Sequence, residues 1–278
     1  MAKSRILLLA AFLCPIIAGV VFMASAGAPK TYLFANAGAA CFVAIAFWRG
    51  LEINLRTSLL IVTLVVPGLL AFTFAGPAIE DVYRWIALGP FKLHVAMLVL
   101  PFLATQMFTH DKRVISVVVL LAALIVALQP DRASALALCL TALCWLCFTQ
   151  DRWSLATFFG SGTALVSTML NADTLPPVRF VENVIGEAAI FHVGIGVLLT
   201  VAMLVAIAVP LYAGWRARFG RAAPFVAWSA CLTGYFLASL AGPYPVPLLG
   251  YGVSAILGFG LALAMLDQER DEVAWAPQ

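Results

Sequence analysis

The stretch AAIFHVGIGVLLTVAMLVAIAVPL, residues Ala188–Leu211, contains no Asp, Glu, Lys or Arg. An apolar helix of about 20 residues spans the hydrocarbon core of a membrane, since each residue adds about 1.5 Å of length. An open strand could not cross lipid, because its backbone polar groups would have no partners there. The stretch therefore predicts a transmembrane helix.

The rest of the chain has the same apolar character. Its 278 residues are 64% hydrophobic and 10% charged, whereas about a quarter of the residues of soluble proteins are charged. We find no hydrophilic stretch long enough for a separate domain and predict a single transmembrane domain over residues 1–278. The net charge of +3 is too small to indicate a nucleic-acid partner. Cys144 and Cys147 form a CxxC inside an apolar run and are interpreted as buried apolar side chains; no cofactor is evident.

About ten apolar runs recur along the chain and predict an all-α, polytopic bundle. Val114–Leu128 is the shortest of them, and its helix is expected to extend into the flanking loops. The first run follows Lys3 and Arg5 and resembles a signal peptide, but its length favours a retained helix. The runs are Ile6–Ala24, Tyr32–Trp48, Ser58–Ala75, Phe91–Thr109, Val114–Leu128, Ala133–Thr149, Ser154–Leu170, Ala188–Leu211, Pro224–Ala241 and Leu248–Leu266.

The basic residues predict the orientation of the bundle. With the N-terminus inside, the inner loops hold 11 Lys and Arg residues and the outer loops 5, which together make the 16 of the chain. Because basic loops stay in the cytoplasm, both termini are expected there. None of the predicted spans has an Asp, Glu, Lys or Arg at its middle, which argues against the commonest signature of ion-coupled transport.

The outer loops hold four short motifs in a fixed order. RWIALG (Arg84–Gly89) follows the third run, LQPD (Leu128–Asp131) precedes the sixth, and VIGE (Val184–Glu187) opens the eighth. PVP (Pro245–Pro247) with YGVS (Tyr251–Ser254) enters the tenth. In order and in position these segments resemble the RWI-x-LG, LQPD, VIGE and PLP…SYGGS motifs of the SEDS family (shape, elongation, division and sporulation), the RodA/FtsW-like proteins.

The resemblance implies a SEDS-like, ten-span protein of the bacterial inner (plasma) membrane. Such proteins act in peptidoglycan synthesis during cell elongation or division. They polymerise a polyprenyl-pyrophosphate-linked disaccharide-peptide, lipid II, at the outer face, and they pair with a penicillin-binding transpeptidase. The resemblance therefore implies membrane lipid, a polyprenyl-linked sugar and a transpeptidase as partners.

Polymerisation needs a base for the acceptor hydroxyl and cations near the pyrophosphate. The candidate carboxylates in the outer loops are Asp131, Glu182 and Glu187. The residues expected to bind substrate, most of them polar or cationic, are Arg84, Trp85, Gln129, Asp131, Arg132, Arg179 and Tyr251.

The chain departs from the family in two segments that matter for chemistry. Aligned on Val184–Glu187, the family's catalytic aspartate is replaced by Arg179, and a guanidinium cannot act as a general base. The family's QPSE and the lysine after it are replaced by His94-Val95-Ala96-Met97 and Leu100. We therefore expect the usual lipid II polymerase activity to be absent.

Local structural roles compete with these functional ones. Arg84 and Trp85 could anchor the chain at the headgroup level, Asp131 could cap a helix, and Glu187 could sit favourably at a helix N-terminus. His94 and His192 are expected to form local hydrogen bonds at helix ends. Two other function classes stay open: a catalytically inert scaffold or partner subunit, and, more weakly, a lipid or solute transporter.

Overall fold

The computed structural model describes residues 2–80, 82–89, 91–171, 175, 177–216 and 222–272, without the side chains of residues 2–4, 91 and 267–272. Asp173 of an outer loop, and Arg218 and Arg221 of an inner loop, lie outside these residues. The helices in chain order are α1 (Ala2–Ser25), α2 (Lys30–Arg49), α3 (Leu55–Leu60), α4 (Val66–Phe72), α5 (Val95–Gln106), α6 (Lys112–Leu128), α7 (Arg132–Thr149), α8 (Arg152–Leu170), α9 (Val184–Phe191), α10 (Val193–Arg216), α11 (Ala222–Ala241) and α12 (Val253–Glu272).

Every apolar run of the sequence coincides with helix over most of its length, so the prediction of an all-α, multi-pass membrane protein is confirmed. Within the described residues, 6 helical segments are long and apolar enough to cross a membrane. Large apolar side chains such as Phe34, Trp48 and Ile190 point outward. Lipid is the solvent that accommodates such a surface.

The third span is one continuous helical segment with a local change of pitch. A π turn, Ile61–Val65, joins α3 to α4, and a 3₁₀ turn, Thr73–Ala75, ends the span. Pro67 has no N–H to donate, and its ring crowds the carbonyl four residues earlier. The wider π turn contains Thr63, the residue four positions before this proline, and makes room for the ring.

The fourth run, Phe91–Thr109, is not helical from its start, so that part of the prediction is wrong. Residues Trp85–Leu88 form β1 and pair antiparallel with Phe91–His94, which form β2. Gly89 adopts a φ of +59° in the turn between them, a conformation that glycine tolerates best. The hairpin satisfies its own backbone groups across the strands, and α5 begins only at Val95.

Two further run boundaries differ from the prediction. The eighth run is divided at His192, whose extended backbone separates α9 from α10 and whose Nδ1 accepts a hydrogen bond from the Gly194 N–H at 3.1 Å. The expected local role of His192 is thus confirmed. The tenth run enters α12 only at Val253. Pro247 and the positive φ of Leu248 (+65°) keep the preceding residues out of the helix.

Close helix contacts fix the outer end of the bundle. Helix α11 packs on α7, while α12 packs on α5 and α2. At the first crossing, a Cβ on Gly234 would lie 2.4 Å from the Cα of Ala137. The absent side chain lets the two backbones approach, and it brings Tyr235 beside the first turn of α7, where the polar residues of the site begin.

Candidate functional site

Asp131 lies at the centre of a buried polar cluster. It caps α7, because its Oδ1 accepts a hydrogen bond from the Ser134 N–H at 3.1 Å, as the capping alternative predicted. Its Oδ2 accepts a second bond from the Ser134 hydroxyl and lies 3.4 Å from His94 Nε2. The Ser134 hydroxyl is also 2.8 Å from the Tyr235 hydroxyl. Only 1% of Asp131 is exposed.

His94 joins this cluster to the hairpin. The His94 Nδ1 accepts a hydrogen bond from the Met97 backbone N–H at 3.3 Å, so His94 caps α5 as expected. The backbone N–H of His94 donates to Ser254 Oγ at 2.8 Å. An accepting Nδ1 leaves the proton of the neutral ring on Nε2, facing Asp131. Both ring nitrogens are therefore engaged within the protein, and neither is available to take a proton from a substrate.

The charges of the cluster set the protonation of its members. Burial alone would raise the pKa of Asp131, but the charges of Arg84 and His94 and the hydrogen bonds from Ser134 outweigh it and lower that pKa. Burial lowers the pKa of His94, and Arg84 acts in the same direction against the opposing effect of Asp131. At neutral pH the carboxylate is ionised and the imidazole is neutral.

Arg84 is buried within the protein, with 4% of its surface exposed. Its Nε donates to the Gln129 carbonyl at 3.2 Å and its Nη2 to the Pro130 carbonyl at 2.7 Å. The Gln129 side chain donates in turn to Thr73 Oγ1 at 2.6 Å. These bonds connect the hairpin, the end of the third span and the start of α7.

Arg132 binds the C-terminal end of α8. Its Nε donates to the Thr168 carbonyl at 2.8 Å and its Nη2 to the Asn171 carbonyl at 2.9 Å. These carbonyls end α8, where the helix dipole favours a cation. Arg132 thus joins the start of α7 to the end of α8.

Arg179 and Glu187 form a second, more accessible group. The Arg179 Nε lies 3.9 Å from Glu187 Oε2, and its guanidinium lies 4.6 Å from the Phe180 ring centroid. The Arg179 side chain is 69% exposed and that of Glu187 28%. Both line a cavity of about 290 Å³. Its other lining residues come from the C-terminal end of α1, the residue after it, and α9; they are Phe22, Ala26, Ile190 and Phe191. An ion pair therefore lies beside an apolar cavity.

Glu182 is held by its own loop. Its Oε2 accepts a hydrogen bond from the Val178 N–H at 3.2 Å, and its backbone pairs with Pro245. The segment is a turn and a bridge, not a helix. Glu182 and Arg179 therefore do not share a helix.

Tyr251 is fixed by residues that the sequence did not single out. Its ring stacks on Tyr32 at 4.0 Å, and its N–H donates to the Phe180 carbonyl at 2.7 Å. Asn36, four residues after Tyr32, donates to the Gly250 carbonyl at 2.9 Å and accepts from the Gly252 N–H at 3.2 Å. A lone amide inside an apolar run was the available signal, since polar groups in a span need partners.

Six of the candidate residues fall into two groups, whereas Arg132, Glu182 and Tyr251 have the separate contacts given above. Arg84, Gln129 and Asp131 come together in the buried cluster, with Trp85 beside it, edge-on to the His94 ring at 6.1 Å. Arg179 and Glu187 come together at the accessible cavity. Tyr235 contributes to the cluster from α11, where the apolar neighbours of this residue gave no signal of a polar role. The roles of all these residues in binding substrate stay predictions.

The architecture is similar to that of solved bacterial proteins. The rod shape determining protein RodA of Thermus thermophilus superimposes with a TM-score of 0.66 at 16% identity, over 96% of this chain and 97% of that one. The chain has the RodA fold. A mutant of the same protein gives a TM-score of 0.67 at 16% identity, covering 96% and 98%. The SEDS-like bundle predicted from the outer-loop motifs is therefore confirmed as a fold.

A third similar structure extends the RodA fold comparison. It is a chain from a peptidoglycan synthase complex, solved to describe how that complex coordinates polymerization and crosslinking. Its TM-score is 0.64 at 18% identity, over 96% of this chain and 98% of that one. No protein-family model and no curated protein matches this chain in sequence.

Proposed function

We propose that the chain is a RodA-like protein of bacterial cell-wall synthesis, linked to cell shape or division, that binds a polyprenyl-linked sugar at its outer face in the inner membrane. The observation that carries the proposal is the RodA fold over 96% of the chain. The four outer-loop motifs support it, since they occur in the order and in the loops that the fold requires.

The substrate site is the cavity at Arg179 and Glu187. Arg84 and Arg132 donate hydrogen bonds to backbone carbonyls, whereas the Arg179 guanidinium is accessible. A guanidinium suits phosphate oxygens, and the apolar wall of Phe22 and Phe191 suits isoprenyl carbons. The volume of about 290 Å³ is at the small end for ligand pockets. It fits the phosphate end of the substrate and the start of its lipid.

The chain does not polymerise this substrate by the route usual in the family. Arg179 stands at the position of the family's base, and the oxygens of Asp131 are bonded within the cluster. Glu182 accepts from Val178, and Glu187 lies against Arg179. General-base assistance is worth about 10²–10⁴ in rate, so its loss leaves binding without efficient turnover.

Purified protein with lipid II tests the proposal in two separate measurements. Titration should show binding, and gel analysis should show no glycan strands. Arg179→Gln should weaken binding about tenfold or more, because it removes a charge-assisted contact. The control is Lys92→Gln, which removes another outer-side cation and should bind as the parent does. Robust polymerisation that is abolished by Glu182→Gln or Glu187→Gln would overturn the proposal.

A catalytically inert partner subunit is the second candidate. It is favoured by the similarity to a chain of a peptidoglycan synthase complex together with the lost base. Co-purification with a penicillin-binding transpeptidase, combined with no measurable lipid II binding, would select this function. Transport of a lipid or solute has no specific support in the described residues.

A further inference from the structure

Two arginines converge on one indole at the predicted inner ends of α6 and α8. The Cζ of Arg113 lies 5.8 Å and that of Arg152 lies 5.1 Å from the Trp153 ring centroid. Both arginine side chains are exposed, and Trp153 is half-buried. Two positive charges thus meet at the level where tryptophan marks the membrane–water interface.

The neighbouring carboxylates are occupied elsewhere. Asp111 caps α6 by accepting from the N–H groups of Arg113 and Val114. Asp151 caps α8 and lies 2.6 Å from Lys112 Nζ. Among the described side chains, none supplies a carboxylate within ion-pair distance of the Arg113 or Arg152 guanidinium. The positive charges of Arg113 and Arg152 can therefore bind an anionic ligand.

We propose that Arg113, Arg152 and Trp153 form a binding site for the phosphate headgroup of an anionic phospholipid of the inner leaflet. Guanidinium groups bind phosphate oxygens through paired N–H donors. Basic residues at the cytoplasmic ends of transmembrane helices attract anionic lipids. The inner-leaflet assignment follows from the basic inner loops, which include this one.

Apolar rows continue from both arginines toward the middle of the membrane. Residues three or four apart share one face of a helix, so Val117 and Leu121 follow Arg113 along α6, and Val117 is 62% exposed. On α8, Leu155 and Phe159 follow Arg152, and both are exposed. Acyl chains fit along such rows below the headgroup. This combination selects a phospholipid over a soluble phosphate.

The spacing of the two arginines is set by contacts between their helices. The Ser116 hydroxyl of α6 lies 2.8 Å from Thr157 Oγ1 of α8 and donates to the Trp153 carbonyl at 3.3 Å. Gly160 leaves room for the Leu120 side chain between the helices. A site that is already assembled loses less conformational freedom when it binds.

The test titrates the detergent-purified full chain with phosphatidylglycerol or phosphatidylcholine and counts bound lipid by native mass spectrometry. The double variant Arg113→Gln/Arg152→Gln should bind phosphatidylglycerol about 25-fold more weakly, from about 5-fold for each arginine. Binding of phosphatidylcholine should not change. The matched control, Arg56→Gln/Arg216→Gln, loses the same charge at the inner face and should keep the preference for phosphatidylglycerol.

Equal affinity of the double variant and the control for phosphatidylglycerol would overturn the proposal. Full displacement of the lipid by millimolar inorganic phosphate would also overturn it, because the acyl chains would then contribute nothing. A Trp153→Leu variant that binds as weakly as the double variant would support the three-residue site. Binding of lipid II by the double variant should be unchanged, since the outer cavity is separate.

Discussion

Replacing Asp131 with alanine removes three interactions at once. The first turn of α7 loses its cap on Ser134, the His94 Nε2–H loses its acceptor, and Arg84 loses the nearby carboxylate charge. A cap is worth about 1 kcal/mol. Removing one partner of a buried charged group costs about 3–5 kcal/mol. With 1% of Asp131 exposed, solvent cannot compensate, so we expect the larger figure to dominate.

Two further variants separate the contribution of the helix cap from that of the buried charge. Asp111→Ala also removes a helix cap, through its bonds to the N–H groups of Arg113 and Val114, but at an exposed position. It should cost about 1 kcal/mol. Asp131→Asn keeps a good capping residue but removes the charge and replaces one acceptor oxygen with an NH2 donor, so it should remain destabilising by about 2 kcal/mol or more.

The free energy of unfolding can be measured by titrating detergent-solubilised protein with SDS and following tryptophan fluorescence. The order expected is Asp131→Ala most destabilised, then Asp131→Asn, then Asp111→Ala. If Asp131→Ala costs no more than Asp111→Ala, the carboxylate is only a cap. The buried charge cluster would then not stabilise the outer face.

Three other outcomes are expected. The folded-state pKa values of His94 and Asp131 lie below their usual values of 6.5 and 3.8. The stability that these two groups contribute is therefore complete above pH 6.5 and falls on acidification. A His94→Gln variant should flatten the upper part of that decline, as measured by SDS titrations at several pH values. Gly234→Val should lower the midpoint temperature of unfolding through a clash costing about 1–3 kcal/mol or more. The control Gly38→Ala, whose added Cβ meets nothing within 4 Å, should leave that midpoint unchanged. An unchanged midpoint for Gly234→Val would contradict the α7–α11 crossing. A reporter fused after Gln278 should be active only in the cytoplasm, and a cysteine at Ala78 should label from outside; periplasmic activity of the fusion would contradict the assigned orientation.

The spans could be predicted from sequence because insertion into lipid depends on local apolar content. The helix caps at His94 and Asp131 were also foreseeable, since capping involves residues only three positions apart. The hairpin could not be predicted in the same way. Its second strand, Phe91–His94, is only four residues long and leads directly into the apolar run of α5, and the pairing with Trp85–Leu88 is what makes it a strand.

The sequence indicated which residues to consider for the candidate site, but it did not indicate which of them lie together. Motif order pointed to Arg84, Asp131, Arg179 and Glu187, but spacing along the chain does not say which arginine faces a carbonyl and which a cavity. The Tyr235 hydroxyl reaches the cluster from 101 positions beyond Ser134. Such partners depend on the crossing of α7 and α11, which no local pattern encodes.

The shortness of α5 has a consequence for the inside of the bundle. Its 12 residues make a rod of about 18 Å, against a hydrocarbon thickness of about 30 Å. Ten of these residues are buried, so neighbouring helices rather than lipid cover the sides of α5, and the surrounding bilayer has no need to thin to follow it. The hairpin that leads into α5 pairs its own backbone groups, so this non-helical segment needs no polar partners from lipid.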